Sequence, residues 1–213
     1  MTPDHPRTEP FRVAAVPGVT PDKWVRRWGE RHRQEPLEVV RVEDTDQTAV
    51  LHDGRAQMSF VRLPADRDGL HLIPLWSEVQ VVVLSTDHPL AEFDTLERAD
   101  LADDLVLDDL PARTAVETVA AGTGIVLLPM SVARVHQRKD VRAVPVTDLA
   151  ETQVGLAWRV DDEDPRLEEF IGIVRGRTER SSRGANPAPE PRKKAPAKKK
   201  TPPPRRKPGR RRS

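Results

Sequence analysis

Four blocks of lysine and arginine near the C-terminus carry the clearest chemical signal in this chain. Prolines separate the blocks, so each block presents positive charge on an extended segment. Such charge binds phosphate groups and releases counterions from a polyanion without reading its bases. We therefore predict contacts with DNA or RNA from the following residues: Arg192, Lys193, Lys194, Lys198, Lys199, Lys200, Arg205, Arg206, Lys207, Arg210, Arg211 and Arg212.

The region around these blocks differs in composition from the rest of the chain. Residues 180–213 hold 14 Lys or Arg and one acid, a formal charge of +13, whereas residues 1–179 carry −12. The same region has eight prolines and no Val, Ile, Leu, Phe, Trp or Met, so no apolar burial offsets the entropy of ordering it. We predict a disordered Lys/Arg/Pro-rich tail over residues 179–213. The alternative is a tail that only maintains solubility or folds back on the acidic body.

Signals for enzymes and metal sites are weak. The absence of cysteine excludes disulfides, thiolate metal sites and thiol nucleophiles. The six histidines are scattered singly, residues 122–124 lack the third glycine of a dinucleotide fingerprint, and the acidic runs at 103–104, 108–109 and 161–164 lack the spacing of a calcium loop. We predict no enzymatic activity, no cofactor and no metal. No export signal or membrane-length apolar run is found, which predicts a cytoplasmic protein without membrane contact.

Short apolar runs alternate with helical patterns along residues 11–178, which predicts an α/β fold. Strands that are joined through helices need crossovers, and crossovers favour a parallel sheet. The predicted strands are 11–16, 37–42, 56–61, 70–75, 78–84, 105–107, 125–128, 141–146 and 153–158. The predicted helices are 21–35, 46–53, 95–102, 113–121, 131–137 and one that begins at Pro165.

Two of these helices have an amphipathic pattern. The first places Trp24, Val25 and Trp28 on one face. The last places Leu167, Phe170, Ile171 and Val174 at the spacing i, i+3, i+4 and i+7. Both faces are expected to pack against the core.

Several strings, in this order, resemble the effector-binding domain of LysR-type transcriptional regulators. They are residues 51–58 (LHDGRAQM), 72–83, 88–91 (HPLA), 120–129 (AAGTGIVLLP), 144–146 and 170–175. The resemblance covers about residues 11–177. It implies a periplasmic-binding-protein-like (type 2) domain of two lobes around a cleft over residues 11–178, after a disordered N-terminus of residues 1–10. Lobe I would be about 11–79 with 151–178, and lobe II about 80–150.

Two features depart from the family pattern. The family has a winged helix-turn-helix and a linker helix before this domain, whereas only ten residues precede Phe11 here. The segment between Leu107 and Arg113 is also far shorter than in the family. We therefore expect a chain without the usual DNA reader and with a shortened second lobe.

The resemblance further implies that a small-molecule effector binds between the lobes, at the strand ends. Helix N-termini offer unpaired N–H groups there, and glycine lets the backbone approach a ligand. The alternative is that Thr20 is only a helix N-cap and Gly122 only a helix C-cap. The candidate ligand-binding residues are Gly18, Val19, Thr20, Asp44, Thr45, Arg62, Gly122 and Thr123.

The charges around these candidates restrict the effector. Pro21 removes one N–H donor from the first helix start, and Asp22 and Asp46 place carboxylates at helix starts. Because the body is also acidic, a strongly anionic ligand is disfavoured unless Arg62 compensates locally. We predict that the effector is neutral, cationic or weakly acidic, or that the pocket is vestigial.

Together these observations predict a non-enzymatic effector-binding domain in transcription regulation, with a basic tail for non-specific nucleic-acid binding. The alternative is a nucleoid-associated nucleic-acid-binding protein whose body is an assembly module without a ligand, and a homodimer fits either hypothesis. A third hypothesis is an enzyme that has reused the cleft.

Overall fold

In the computed structural model, residues 9–176 of the chain are described. Their strands are β1 (Phe11–Ala15), β2 (Leu37–Arg41), β3 (Met58–Arg62), β4 (Leu70–Glu78), β5 (Gln80–Ser85), β6 (Val126–Pro129), β7 (Val141–Pro145) and β8 (Thr152–Arg159). Their α-helices are α1 (Asp22–Arg31), α2 (Ala49–His52), α3 (Ala112–Ala120), α4 (Met130–Val135) and α5 (Pro165–Val174). Short 3-10 helices lie at Asp44–Asp46, Pro89–Glu92 and Arg98–Leu101.

The first sheet contains five strands in the order β2-β1-β3-β8-β4. β1 pairs in parallel with β2 and β3, and α1 and α2 lie in the connections that such pairing requires. β8 lies between β3 and β4 and runs antiparallel to both. The predicted parallel sheet is thus confirmed for β1 to β3, but the sheet is mixed because β8 returns from the second sheet in the opposite direction.

The second sheet contains three strands in the order β6-β5-β7, and both outer strands run antiparallel to β5. Valines of β5 pack against apolar side chains of α3 and α4 on one face of this sheet. The chain passes between the two sheets at Val79 and again just before Thr152. We call residues 9–79 with 151–176 the first lobe, and residues 80–150 the second lobe.

Aromatic residues fill the core of the first lobe. The ring of Phe11 on β1 stacks on Trp28 of α1 with centroids 5.0 Å apart, and Phe170 of α5 meets Phe11 edge-on at 5.8 Å. Trp24 stacks on Phe60 of β3 at 4.8 Å. The faces predicted for the first and last helices therefore pack against this core, except that Val25 is only half-buried. Burial of such rings contributes strongly to stability.

Two helices in the first lobe are shorter than predicted. α1 ends at Arg31 rather than near residue 35. His32 leaves the helical region, with a φ of −118° and a ψ of 61°, and the Glu35 N–H donates to the His32 oxygen at 3.0 Å, so residues 32–35 form a turn. Pro36 then disfavours helical backbone at Glu35, and the chain continues into β2. The helix predicted over 46–53 is divided into the 3-10 helix at Asp44–Asp46 and the single turn of α2.

The sequence also predicted too much regular structure in residues 95–107. Leu96 forms an isolated bridge with Val146, and its N–H donates to the Pro145 oxygen, so the backbone there is committed to sheet-like pairing. Only Arg98–Leu101 is helical, as a 3-10 turn. The strand predicted over 105–107 is reduced to an isolated bridge between Val106 and Ile125.

Part of the sequence prediction lies outside the described residues. This holds for the proposed nucleic-acid-binding residues of the tail and for residues 1–8. Within residues 9–176, no helix has the length and apolar character needed to cross a bilayer.

Candidate functional site

A buried arginine lies at the carboxyl end of β3, where the first lobe meets the second. Arg62 is 8% exposed. Its Nη1 donates to Asp44 Oδ1 at 2.8 Å, and its Nη2 donates to the main-chain oxygen of Pro17 at 2.9 Å. Pro17 follows β1 and Asp44 follows β2, so the guanidinium lies at the edge where the three parallel strands end. The Arg62 Nε atom is buried without a hydrogen-bond partner among the described residues.

The main chain of Arg62 is held by the buried side chain of Gln47. The Gln47 amide donates to the Arg62 oxygen at 3.1 Å, and Gln47 Oε1 accepts from the Arg62 N–H at 2.7 Å. Hydrogen bonds between buried groups are costly to lose because each freed partner stays desolvated. These two hydrogen bonds therefore fix the end of β3 and the position from which the Arg62 side chain extends.

A carboxylate and a hydroxyl extend the Arg62 contacts to the second lobe. Glu78, at the end of β4, is 10% exposed in its side chain, and its Oε2 lies 3.7 Å from Arg62 Nη2. Ser131 of α4 donates its Oγ–H to Glu78 Oε2 at 2.7 Å, and Arg62 Nη2 donates to Ser131 Oγ at 3.5 Å. Trp76 Nε1 donates to Glu78 Oε1 at 3.0 Å. We call Arg62, Asp44, Glu78 and Ser131 the interlobe cluster.

Gly18 brings the backbone of the first lobe directly against α4. Its φ of +83° lies in the left-handed region, which glycine adopts without a steric penalty. A Cβ atom at this position would lie 2.8 Å from the main-chain carbon of Ser131 and 2.9 Å from Ser131 Cβ. The lobes therefore touch here through an approach that only glycine allows.

The neighbouring candidates differ in exposure. Val19 is buried, and its main-chain oxygen accepts from Arg41 Nη1 at 2.7 Å. Thr20 is exposed and stands one position before the N-cap of α1, which is Pro21, so Thr20 does not cap the helix as the alternative hypothesis proposed. Thr45 is exposed in the 3-10 helix that presents Asp44. Asp44 and Arg62 thus belong to the interlobe cluster, and Gly18 packs against its Ser131. Thr20 and Thr45 adjoin the cluster along the chain.

Gly122 and Thr123 lie at a different place. The Gly122 N–H donates to the Val119 oxygen at 2.9 Å, and the Thr123 N–H donates to the Thr118 oxygen at 3.2 Å. These two bonds form a Schellman motif at the end of α3, with Gly122 at a φ of +84°. Gly122 also borders a cavity of about 330 Å³ within the second lobe, lined by Asp87, His88, Asp103, Asp104 and neighbouring residues. The structure gives this pair a capping role and does not bring it to the interlobe cluster.

The chemistry of the interlobe cluster suits binding. It contains one guanidinium and two carboxylates, and the Arg62 guanidinium donates to a carboxylate, a carbonyl and a hydroxyl oxygen. The Ser131 hydroxyl donates to the Glu78 carboxylate. The same carboxylate also accepts from Trp76 and faces Arg62, so all of these contacts hold it in place. The cluster therefore offers charge and hydrogen bonds that join the two lobes.

The acidic run at 161–164 is used for local structure. Asp162 accepts from the Asp164 N–H at 3.0 Å, Asp164 pairs with Arg166, and Asp161 pairs with Arg159. Over residues 9–176, no three His, Asp or Glu side chains are grouped as they would be to hold a metal ion.

Sequence reasoning missed three residues of the site: Gln47, Glu78 and Ser131. Glu78 was placed at the start of a predicted strand, whereas it ends β4 immediately before the chain crosses between lobes. The available signal was an acidic residue within an apolar run, because an acidic side chain is almost never fully buried unless it is paired. Nothing in the local sequence indicates that Ser131 contacts Arg62, which is 69 positions away.

Comparison with protein families gives one clear match. The model described as the LysR substrate binding domain matches residues 5–108 and 112–179 of this chain. The break between the two stretches falls in the segment that is shorter here than in the family pattern. A curated relative, the HTH-type transcriptional regulator CatR of Pseudomonas putida, is 27% identical, with 60% of this chain and 54% of CatR covered. The chain thus spans about half the length of this relative.

Solved structures with the same fold include effector-binding domains. A BenM variant effector-binding domain superposes with a TM-score of 0.68 at 21% identity, covering 79% of this chain and 94% of that one. The BenM domain solved with its effector benzoate gives 0.65 at 20% identity, covering 78% and 90%. An OxyR mutant from Corynebacterium glutamicum gives 0.64 at 25% identity, covering 78% and 63%. The type 2 periplasmic-binding-protein-like fold predicted from the sequence is thereby confirmed.

Proposed function

This chain belongs to the LysR substrate-binding domain family, and we propose that it senses a small-molecule effector between its two lobes and acts in transcription regulation. The family consists of effector-binding domains of transcriptional regulators, which are not enzymes, and we propose the same non-enzymatic role here. The observation that carries the proposal is the buried Arg62, which contacts groups of both lobes at the strand ends.

The proposed site is the interlobe cluster together with the residues that adjoin it along the chain. A ligand there would contact the ends of β1 and β3 together with α4, so its binding free energy would depend on how the lobes are arranged. The proposed contacts are Gly18, Val19, Thr20, Asp44, Thr45, Arg62, Glu78 and Ser131. We leave Gly122 and Thr123 out of this site because their hydrogen bonds support the capping role.

The charges of the cluster support a neutral, cationic or weakly acidic effector. Benzoate is the effector of one structural neighbour, BenM. In this chain a carboxylate would have to compete with Asp44 and Glu78 for Arg62. A carbonyl or hydroxyl oxygen carries no full charge and would suit Arg62 Nε, a donor that has no hydrogen-bond partner among the described residues. An uncharged ligand with such an oxygen therefore fits these groups better than a dicarboxylate does.

We also propose that the basic residues of the tail bind DNA or RNA without sequence preference. The support is the charge contrast between residues 180–213 and the acidic remainder, since a long block of like charge favours a polyanionic partner. Under this proposal the protein is cytoplasmic, and its tail associates it with the nucleoid. We further propose that the protein forms a homodimer.

A second candidate function has its own support. Gly18 and Ser131 are in close contact, and Arg62 is already engaged by groups of both lobes. A body closed in this way could serve as an assembly module without a ligand, while the tail binds nucleic acid.

A thermal unfolding screen of the full chain tests the effector proposal. The library contains uncharged, cationic and acidic compounds, including amides, sugars, polyamines and aromatic acids. A ligand at 100 times its Kd should stabilise the body by about 2.7 kcal/mol. The shift should disappear in Arg62→Gln and persist in Arg27→Gln, a matched change at an exposed position of α1. If no compound shifts the unfolding while the chain binds duplex DNA, the second candidate is supported instead.

A further inference from the structure

Glu78 stands out in the interlobe cluster because one oxygen of its buried carboxylate faces both Arg62 and Ser131. Its Oε1 accepts from Trp76 Nε1, and its Oε2 accepts from the Ser131 hydroxyl while facing Arg62 Nη2 at 3.7 Å. Both charged side chains are about nine-tenths buried, at 10% and 9% exposed. Solvent therefore screens this pair much less than it screens an exposed ion pair.

The second carboxylate on Arg62 is in a different environment. Asp44 lies closer, at 2.8 Å from Nη1, but its side chain is 50% exposed. Water can therefore solvate the Asp44 carboxylate if its contact with Arg62 is weakened, whereas the Glu78 carboxylate has no comparable access to water. The buried Glu78 thus has the stronger effect on the electrostatic potential at the guanidinium.

We propose that Glu78 is the specificity-determining residue of the interlobe site, because its charge offsets that of Arg62 and thereby weakens the binding of carboxylate ligands. Ser131 is its positioning residue: the hydroxyl accepts from Arg62 and donates to Glu78, so the second lobe holds the carboxylate against the guanidinium. A carboxylate ligand at Arg62 would place a second negative charge beside Glu78 in a poorly screened region, which is unfavourable. The inference rests on the proposed effector function, since it concerns the charge of the ligand at that same site.

The test compares two isosteric probes, benzoate and benzamide, by calorimetric titration of the full chain. In Glu78→Gln the side chain keeps its size and its single amide oxygen can still accept from Ser131 or from Trp76, but the charge is gone. We expect benzoate affinity to rise by about tenfold or more, with benzamide affinity changed by less than about twofold. Adding Arg62→Gln to the variant should abolish the gain, which locates the binding at the guanidinium.

Matched variants separate this local effect from overall charge. Glu38→Gln makes the same change in net charge at an exposed position of β2, where the side chain is 59% exposed, and should leave benzoate affinity unchanged. Asp44→Asn should give a smaller gain than Glu78→Gln. If Glu78→Gln does not fold, Glu78→Asp retracts the carboxylate from Arg62 and should give an intermediate gain. Equal benzoate affinity in the wild type and in the folded Glu78 variants would overturn the proposal.

The outcomes also separate this inference from the effector proposal. If a screen identifies an Arg62-dependent ligand but the Glu78 variants gain no benzoate affinity, only the role of Glu78 is wrong. If no compound binds the wild type and Glu78→Gln binds benzoate at Arg62, the role of Glu78 stands and the effector proposal is wrong.

Discussion

At the scale of single residues, contacts between distant positions decide which predicted residues take part in the site. Arg62 was predicted as a ligand contact from its place after a strand. In the structure it is buried and donates to Pro17, Asp44 and Ser131, which supports our proposal that it lies in the effector site. Gly18 was predicted as a backbone approach to a ligand. Its nearest neighbour in the structure is α4 of the second lobe, so it serves first as a contact between the lobes.

Gly18→Ala is expected to destabilise the body by about 2 kcal/mol or more. Part of the loss comes from the left-handed backbone, which costs an L-residue about 1–2 kcal/mol, and the rest comes from the clash with the Ser131 main chain. Urea unfolding followed by tryptophan fluorescence measures it. Gly54→Ala is the matched control, since Gly54 has a φ of +70° but no atom within 4 Å of the added Cβ. Equal losses in the two variants would show that Ser131 adds nothing.

Asp164 provides a pH-dependent contribution to stability. Its side chain accepts from the Arg166 N–H at the start of α5 and pairs with the Arg166 guanidinium at 2.6 Å. The side-chain hydrogen bond from Arg166 holds the pKa of Asp164 below its usual value. A lowered folded-state pKa stabilises the protein above the unfolded-state pKa of about 3.9, and this stability is lost as the pH falls through the folded-state value.

Asp164→Asn keeps a capping oxygen but removes the charge. We expect it to lower the free energy of unfolding by about 0.5–1 kcal/mol at pH 7, with the difference from wild type vanishing in acid. Urea unfolding over a series of pH values measures this convergence. Asp164→Ala also removes the cap, so part of its loss should remain at low pH. A constant difference for Asp164→Asn across the series would contradict the ion-pair explanation.

At the scale of elements, long amphipathic patterns were predicted well and short ones were not. α1 and α5 present the predicted apolar faces to the core because burial of several rings outweighs local alternatives. The short segments at 46–53 and 95–107 have too few apolar side chains for that, so bridges and turns with distant residues decide their backbone. The pairing of Leu96 with Val146 is one such case.

The end of α3 tests whether Gly122 is a cap or a ligand contact. Gly122→Ala should destabilise the body by about 1 kcal/mol, because an alanine must adopt the left-handed backbone although the space around it is open. The affinity of an effector found by the thermal screen should stay unchanged, as measured by calorimetry. Unchanged stability combined with weaker effector binding would instead support the ligand-contact role.

At the scale of the whole molecule, the chain combines an acidic body with a basic C-terminal region. The charges of −12 and +13 follow from the sequence alone and nearly cancel in the total of +1. Since counterion release depends on local and not on net charge, the total understates the affinity for nucleic acid that we propose for the tail.

Binding to duplex DNA should therefore depend steeply on salt. If about six phosphates are contacted, log K against log salt should have a slope near −5. Changing Lys198, Lys199 and Lys200 together to Gln should flatten the slope by about 1 for each phosphate that the variant no longer neutralises. Fluorescence anisotropy with labelled DNA over a salt series measures both slopes. The exposed body residues Arg26, Arg27 and Lys139 serve as a matched triple control, and identical slopes for the two triple variants would contradict the role of the tail.

The amino-acid sequence by itself determined the charge division, the α/β class, the family resemblance and the apolar faces of α1 and α5. Each of these depends on composition or on patterns within single segments, and none needs a distant partner. The tertiary structure decided the rest: the insertion of β8 between β3 and β4, the approach of Gly18 to Ser131, and the contacts of Arg62 with Glu78 and Ser131. Most of these features join residues far apart along the chain, so their hydrogen bonds and burial exist only once the two sheets have come together.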